Sequence, residues 1–198
     1  MIHKALWEKL ESLDPAEVCS RTGACKSSNG FVLPVLNTRF IVDPAAEVFT
    51  PAPGEQQRKP NFLLELSGVQ YLINARMAPL GEELVSAEQF DGGGIYFRGP
   101  HAVPTQQLVE RFGKCTSEFG LVAHSLGGNR VSFGDEAWTL DLFPRLPVTV
   151  VLWGRDEEFP ARASVLFDPT AGQQMPLDAL LAGTNFLVKE LAAKSIDT

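Results

Sequence analysis

The sequence predicts an α+β protein, and three observations lead to it. Apolar residues recur at helical spacing through the middle of the chain and again near its C-terminal end. Between Arg130 and Asp168 the period switches to two, as in half-buried strands. The links between those strands are short, whereas parallel strands need crossovers of about a dozen residues, so the sheet is expected to be antiparallel. The architecture expected is one domain over residues 1–198. It has an N-terminal helix and β-hairpin, two middle helices, a C-terminal antiparallel β-meander, and a last helix packed on the meander.

Each element has its own signal. Ile2, Leu6, Leu10 and Leu13 share one face of a first helix ending near Ser12. Asp14-Pro15 starts a second, with Asp14 as cap and Pro15 where a missing N–H costs nothing, and Gly23 stops it. Ser27-Ser28-Asn29-Gly30 is turn chemistry. Phe31 to Leu36 and Arg39 to Val42 follow as a hairpin joined by Asn37-Thr38, and Glu47 to Thr50 reads as a third strand. Residues 50–60 hold Pro51, Pro53, Gly54 and Pro60. They read as a surface loop within one domain, since residues 1–50 alone would bury too little surface.

Asn61 opens a helix with Phe62, Leu66, Val69 and Ile73 along one face, broken at Pro79-Leu80-Gly81. Ser86-Ala87-Glu88-Gln89 has capping-box spacing, and Gly92-Gly93-Gly94 is a flexible bend. Leu108, Phe112, Cys115, Phe119, Val122 and Leu126 predict one long helix from Thr105, with Gly113 and Gly120 as positions for a kink. Gly127-Gly128 ends it. Val131 and Phe133 then form a short strand, and Gly134-Asp135 turns into a strand through Trp138, Leu140 and Leu142. The unbroken apolar run Val148 to Trp153 suits a central strand, and Ala163, Val165 and Phe167 alternate in the last. The final helix begins at Pro176, apolar at Leu177, Leu180, Leu181, Phe186, Leu187 and Leu191.

Composition removes several function classes. The net charge is −7, and the longest basic run is Arg58-Lys59. Binding to nucleic acid needs Lys and Arg concentrated against phosphates, so no nucleic-acid partner is expected, and anionic membranes are disfavoured for the same reason. No run approaches the roughly 20 apolar residues that span a bilayer. The first ten residues carry charges where a signal peptide needs an apolar stretch, so a cytoplasmic location is expected. Cys19, Cys25 and Cys115 are an odd number for a disulfide framework and lack metal-ligand spacing. They read as free thiols, with a redox-sensitive Cys19–Cys25 pair as the alternative.

Ala123-His124-Ser125-Leu126-Gly127-Gly128 resembles the nucleophile elbow of lipases. That elbow needs a strand before the serine, a helix after it, and a later histidine as base. Here a helical period precedes Ser125, a strand-like alternation follows, and no histidine lies beyond His124. A serine hydrolase is therefore rejected. Gly92-Gly93-Gly94 lacks the Lys and Ser/Thr of a phosphate-binding P-loop, though Arg98 and His101 nearby make it a candidate anion site.

The most distinctive segment is Trp153-Gly154-Arg155-Asp156-Glu157-Glu158-Phe159-Pro160. Three consecutive carboxylates repel one another, so they call for solvent, a cation, or an Arg partner such as Arg145, Arg155 or Arg162. Asp135, Asp141 and Asp168 are expected at the same end of the sheet, a set of hard oxygen donors that would suit Mg²⁺ or Ca²⁺. Three readings stand side by side: a salt-bridged loop, a ligand or partner surface, and a metal site.

From Pro144 onward, Pro144-Arg145-Leu146-Pro147, the segment Leu152 to Pro160, Leu166-Phe167-Asp168 and the last helix resemble domain of unknown function family 3786. In that family the segment reads Gly-Asp-Glu-Glu-Phe-Pro after a Trp; this chain places Arg155 between Gly154 and Asp156. The resemblance implies an uncharacterised protein of bacteria and archaea, many of them anaerobes, and carries no established activity. Cysteine-rich iron–sulfur segments joined to some relatives have no counterpart in the cysteines here. The matching residues are Trp153, Asp156, Glu157, Glu158, Phe159 and Asp168. They stand as ligand- or partner-binding candidates, or as turn formers, with Phe159 and Pro160 packing the loop down and Asp168 capping the next turn.

The function expected is a non-catalytic ligand-binding or accessory protein of anaerobic metabolism, using this acidic loop or the Gly92–His101 loop. The alternative is a metal-assisted enzyme using the same carboxylates with His101. The residues name no cofactor, metal or particular partner.

Overall fold

The computed structural model describes residues 2–55, 60–81 and 83–194. Within the expected surface loop, residues 56–59, and with them Arg58-Lys59, lie outside the described residues. Helix α1 (Lys4–Glu11) and helix α2 (Pro15–Thr22) start where their caps stand. Asp14 accepts the Ala16 N–H at 3.2 Å, and α2 stops at Gly23.

Four strands follow as an antiparallel meander: β1 (Cys25–Ser27), β2 (Gly30–Val35), β3 (Thr38–Asp43) and β4 (Val48–Pro51). The expected hairpin is thus the centre of a larger sheet. Its turn lies one residue earlier than Asn37-Thr38, because Val35 pairs with Thr38 and Leu36 takes the positive φ of 53°.

Helix α3 (Phe62–Asn74) begins with the Asn61 side chain accepting the Leu64 N–H at 3.1 Å. Its expected single face, Phe62, Leu66, Val69 and Ile73, is corrected: Phe62 is half exposed, while Leu64, Ser67, Gly68, Tyr71 and Leu72 are buried with Val69 and Ile73. The reason is that α3 is covered on two sides. Gly68 lies against Phe49 and Leu33 of the first sheet, and Ser67 against Gly183 of the last helix.

Beyond β5 (Val85–Ser86), Gln89 Oε1 accepts the Ser86 N–H at 2.8 Å across a 3₁₀ turn. Helix α4 (Gly93–Tyr96) occupies the expected glycine bend. The long helix expected from Thr105 to Leu126 is instead two, α5 (Gln106–Phe112) and α6 (Thr116–Ser125). Strands β6 (Asn129–Arg130), β7 (Glu136–Phe143), β8 (Leu146–Trp153) and β9 (Arg162–Phe167) complete a second antiparallel sheet in the order β5-β9-β8-β7-β6. The expected strand at Val131 and Phe133 is corrected, since β6 ends at Arg130 and Phe133 is half exposed in the turn.

After α7 (Ala171–Gln174), helix α8 (Leu177–Ala193) lies between α3 and the second sheet. Gly183 marks the close approach, because a Cβ there would stand 2.9 Å from Leu142 Cδ2 and 3.2 Å from Ser67 Cβ. One buried apolar cluster joins both sheets to these helices. Among the described residues no helix is long and apolar enough to cross a membrane.

Candidate functional site

The β6–β7 and β8–β9 connections emerge at the same end of the second sheet, where Trp153 pairs with Arg162 and Glu136 with Leu152. Backbone hydrogen bonds tie the two together. Asp135 donates its N–H to the Leu152 carbonyl at 3.0 Å, and its Oδ2 accepts the Gly154 N–H at 2.8 Å. A third anchor comes from the split helix: the Gly113 carbonyl accepts the Arg155 N–H at 3.0 Å. In an unbroken helix that carbonyl would accept the amide four residues on. A Cβ at Gly113 would also stand 2.6 Å from Ala161 Cβ. The break between α5 and α6 therefore seats the acidic loop, which is why the apolar period alone misread it.

Asp156 builds the turn itself. Its Oδ1 accepts the Phe159 N–H at 2.7 Å and the Glu158 N–H at 2.8 Å, and its own N–H donates to the Phe159 carbonyl at 3.1 Å. The hydrogen bonds from Phe159 and then Glu158 favour the ionised carboxylate and hold it below its usual range. Glu157 and Glu158 stand exposed beside it. Phe159 is 66% exposed, so the expectation that it packs the loop down is corrected. With Asp156 and the three backbone anchors shaping the turn, the ring is free to face outward.

Trp153 is half-buried, and the Arg162 guanidinium lies 4.1 Å from its ring centroid. On this side of the loop a cavity of about 450 Å³ is walled by Asp135, Trp153, Arg162, Asp156, Phe159 and Pro160. On the other side a cavity of about 570 Å³ lies between the loop and Val109, Glu110, Gly113 and Lys114. Asp156, Phe159 and Pro160 line both, so the loop is a ridge between two dishes, the larger of them the more open. A further concavity of about 460 Å³ follows residues 130–137 and shares Asp135.

Of the carboxylates expected to gather here, only Asp135 joins Asp156, Glu157 and Glu158. Asp168 follows the far end of β9, about 20 Å away at 3.3 Å per residue. It is 4% exposed and structurally engaged: its carboxylate accepts from Gly81 N–H at 2.6 Å, from Thr170 N–H at 2.8 Å and from the Thr170 hydroxyl. Asp141 and Arg145 flank the hairpin at that same far end. Among the described residues no ion pair joins the loop carboxylates to Arg145, Arg155 or Arg162, so solvent offsets their charge and the salt-bridged loop is corrected. Nor do three or more His, Cys, Asp or Glu side chains gather among the described residues in a way that would hold a metal ion.

Arg98 and His101 are exposed on another loop, where His101 stacks on Tyr96 with ring centroids 4.8 Å apart. Neither makes a hydrogen bond or ring contact with the acidic loop. Gly93 beside them serves packing, since a Cβ there would stand 2.2 Å from the Ala87 carbonyl oxygen, and Gly92 takes a positive φ of 73°. Ser125 ends α6, and its hydroxyl donates to the Val122 carbonyl at 2.7 Å. A helix precedes it and a strand follows, the reverse of an elbow. His124 lies edge-on to Trp138. Cys19, Cys25 and Cys115 are free thiols; burial, then the neighbouring Cys25, pushes the Cys19 thiol up.

Sequence reasoning missed Gly113, Lys114 and Phe133 as parts of this region. Only Gly113 carried a signal, a glycine inside an otherwise helical period.

A family model described as Domain of unknown function (DUF3786) matches residues 14–190, which include the whole of both sheet-end connections. No curated protein and no solved structure matches the chain.

Proposed function

The chain belongs to the DUF3786 family, and from that premise we propose that it is a non-catalytic binding or accessory protein whose recognition element is the ridge Arg155–Pro160. One observation carries the reading. A large apolar ring, Phe159, is held in water on a loop whose backbone is fixed at Gly154, Arg155, Asp156 and Phe159. Exposing a Phe forgoes about 1.5–3 kcal/mol of burial, and fixing the loop around it keeps the ordering cost of binding low. Trp153 with Arg162 beside it adds the aromatic and guanidinium surface that binding sites favour. Asp156 and Phe159 are thus structural and displayed parts of one site, with Glu157 and Glu158 as its charged rim. A cytoplasmic setting fits three free thiols. A place in anaerobic metabolism rests on the family resemblance.

Photo-crosslinking tests the proposal. A benzophenone side chain is placed at Phe159 and, as control, at Ile95, which is 86% exposed elsewhere. In extract of the source organism, a discrete adduct is expected from position 159 and none from position 95. Equal labelling at both, or none at 159, would end the reading.

A further inference from the structure

We infer that the occupant of this ridge is a protein segment in which a bulky apolar residue is flanked by Lys or Arg, an inference that rests on the binding reading above. Shape favours an occupant longer than either cavity. Ligand pockets bury about 70–90% of a small ligand, whereas here the larger dish is open and an exposed ridge separates it from the smaller, more enclosed one. A small ligand in one would leave the other empty. A chain lying across the ridge covers both dishes at once and encloses the Phe159 ring, which neither dish encloses alone.

Charge decides the partner's sign. The ridge carries Asp156, Glu157 and Glu158 against Arg155, and Asp135 and Glu110 stand on its flanks opposite Arg162 and Lys114. The balance is acidic, on a chain of net charge −7. The Arg162 cation already lies over the Trp153 face. Asp156 is held by the Glu158 and Phe159 amides, and no ion pair engages Glu157 or Glu158 among the described residues, so the charge of these two is available to a partner. An acidic segment would be repelled on approach, and a purely apolar one would leave Glu157 and Glu158 at the rim facing no counter-charge. A segment joining cations to one apolar anchor meets both features of the ridge.

The experiment is a selection from a random twelve-residue peptide display library on the full chain. Parallel selections use Phe159→Ala and the pair Glu157→Lys with Glu158→Lys, none of which touches a hydrogen bond of the turn. The expected result is enrichment of peptides pairing Lys or Arg with a bulky apolar residue. The best of them should lose at least tenfold in affinity on Phe159→Ala, and about as much on the charge reversal, with unchanged thermal midpoints. Enrichment of acidic or neutral peptides, basic peptides indifferent to Phe159→Ala, or no enrichment would each overturn the inference. The two readings separate in the crosslinking: a small-molecule adduct at position 159 sinks the peptide partner and leaves the binding reading standing, whereas no adduct sinks both.

Discussion

Strands β7, β8 and β9 finish in opposite ways at their two ends. At the end bearing the Phe143–Leu146 hairpin, polar groups are drawn inward: Tyr71 and Asp168 are hydrogen-bonded there, while Arg145 Nε is buried without a partner. The Tyr71 hydroxyl donates to the Thr22 carbonyl at 2.7 Å and accepts the Arg145 N–H at 3.0 Å, while its ring stacks on Phe143 at 4.7 Å. Asp168 is spent on Gly81 and Thr170. At the other end, Asp156 is also spent on backbone amides, yet around it Phe159, Glu157 and Glu158 face water. An aspartate that closes a turn is thus present at both ends, so the motif alone does not mark a site. What differs is whether an element packs over it. Gly81 and the start of α7 lie against Asp168, and nothing in the described chain covers Phe159.

The largest effect that sharpens this contrast is a pair of phenylalanine truncations. Phe143→Ala removes a fully buried ring and should cost about 3–5 kcal/mol of unfolding free energy. Phe159→Ala should change stability by less than about 0.5 kcal/mol. Urea denaturation followed by circular dichroism reads both. Equal losses would mean that Phe159 is packed in solution, and the contrast would collapse. Next in size is Asp168→Ala. It removes the carboxylate that accepts from the part-buried Gly81 and Thr170 amides, and should cost about 1–3 kcal/mol. The same change at Asp156 leaves its amides open to water and should lower the midpoint far less.

The contrast also explains what the sequence could convey. Periodicity found β7, β8, β9 and α8 because each has one or two faces against the same core, and core burial is what period records. Caps placed α2 and α3, since the Asp14 and Asn61 bonds are local, and an apolar face placed α1. Of the α5–α6 break, the sequence showed Gly113 and Gly120 as kink positions but not that the helix splits. The cause of the split is a hydrogen bond between Gly113 and Arg155 and a close approach to Ala161, both remote in the chain. The full face of α3 was hidden for a related reason: two different partners bury it, so no single stripe survives. At the site, the segment Trp153 to Pro160 stood out by its composition. Its neighbour Phe133, and the separation of Asp168 by the length of β9, depend on strand register and could not be read locally.

A smaller effect comes from Tyr71. Burial pushes its phenol above its ordinary range, outweighing the opposing pull of the Arg145 N–H and the Arg145 and Arg21 charges. A raised pKa in the folded state means that the native protein keeps its proton while the unfolded chain loses it. The stabilisation is therefore complete below about pH 10 and declines as pH rises beyond it. Tyr71→Phe should cost about 1–2 kcal/mol at neutral pH, by stranding the Thr22 carbonyl and the Arg145 N–H. It should also flatten the alkaline decline in thermal midpoint between about pH 10 and 11.5. A variant that declines as steeply as the parent would place the alkaline sensitivity elsewhere.

The smallest effect lies at the open end and bears most directly on the ridge. The hydrogen bonds from Phe159 and Glu158 depress the Asp156 pKa, so protonation breaks the turn only well into acid. For a depressed carboxylate the favourable contribution is present above its unfolded value, about 3.9, and is lost as pH falls through the folded one. The group is fully exposed, so the midpoint should barely register this, and amide chemical shifts are the right observable. The Glu158 and Phe159 amides should move together at a pH below about 3.9, in a titration that Asp156→Asn abolishes. A midpoint at or above that value would mean that the turn is not held by Asp156 in solution. Phe159 would then be displayed by a loose loop, and the low ordering cost on which the ridge depends as a recognition element would be gone.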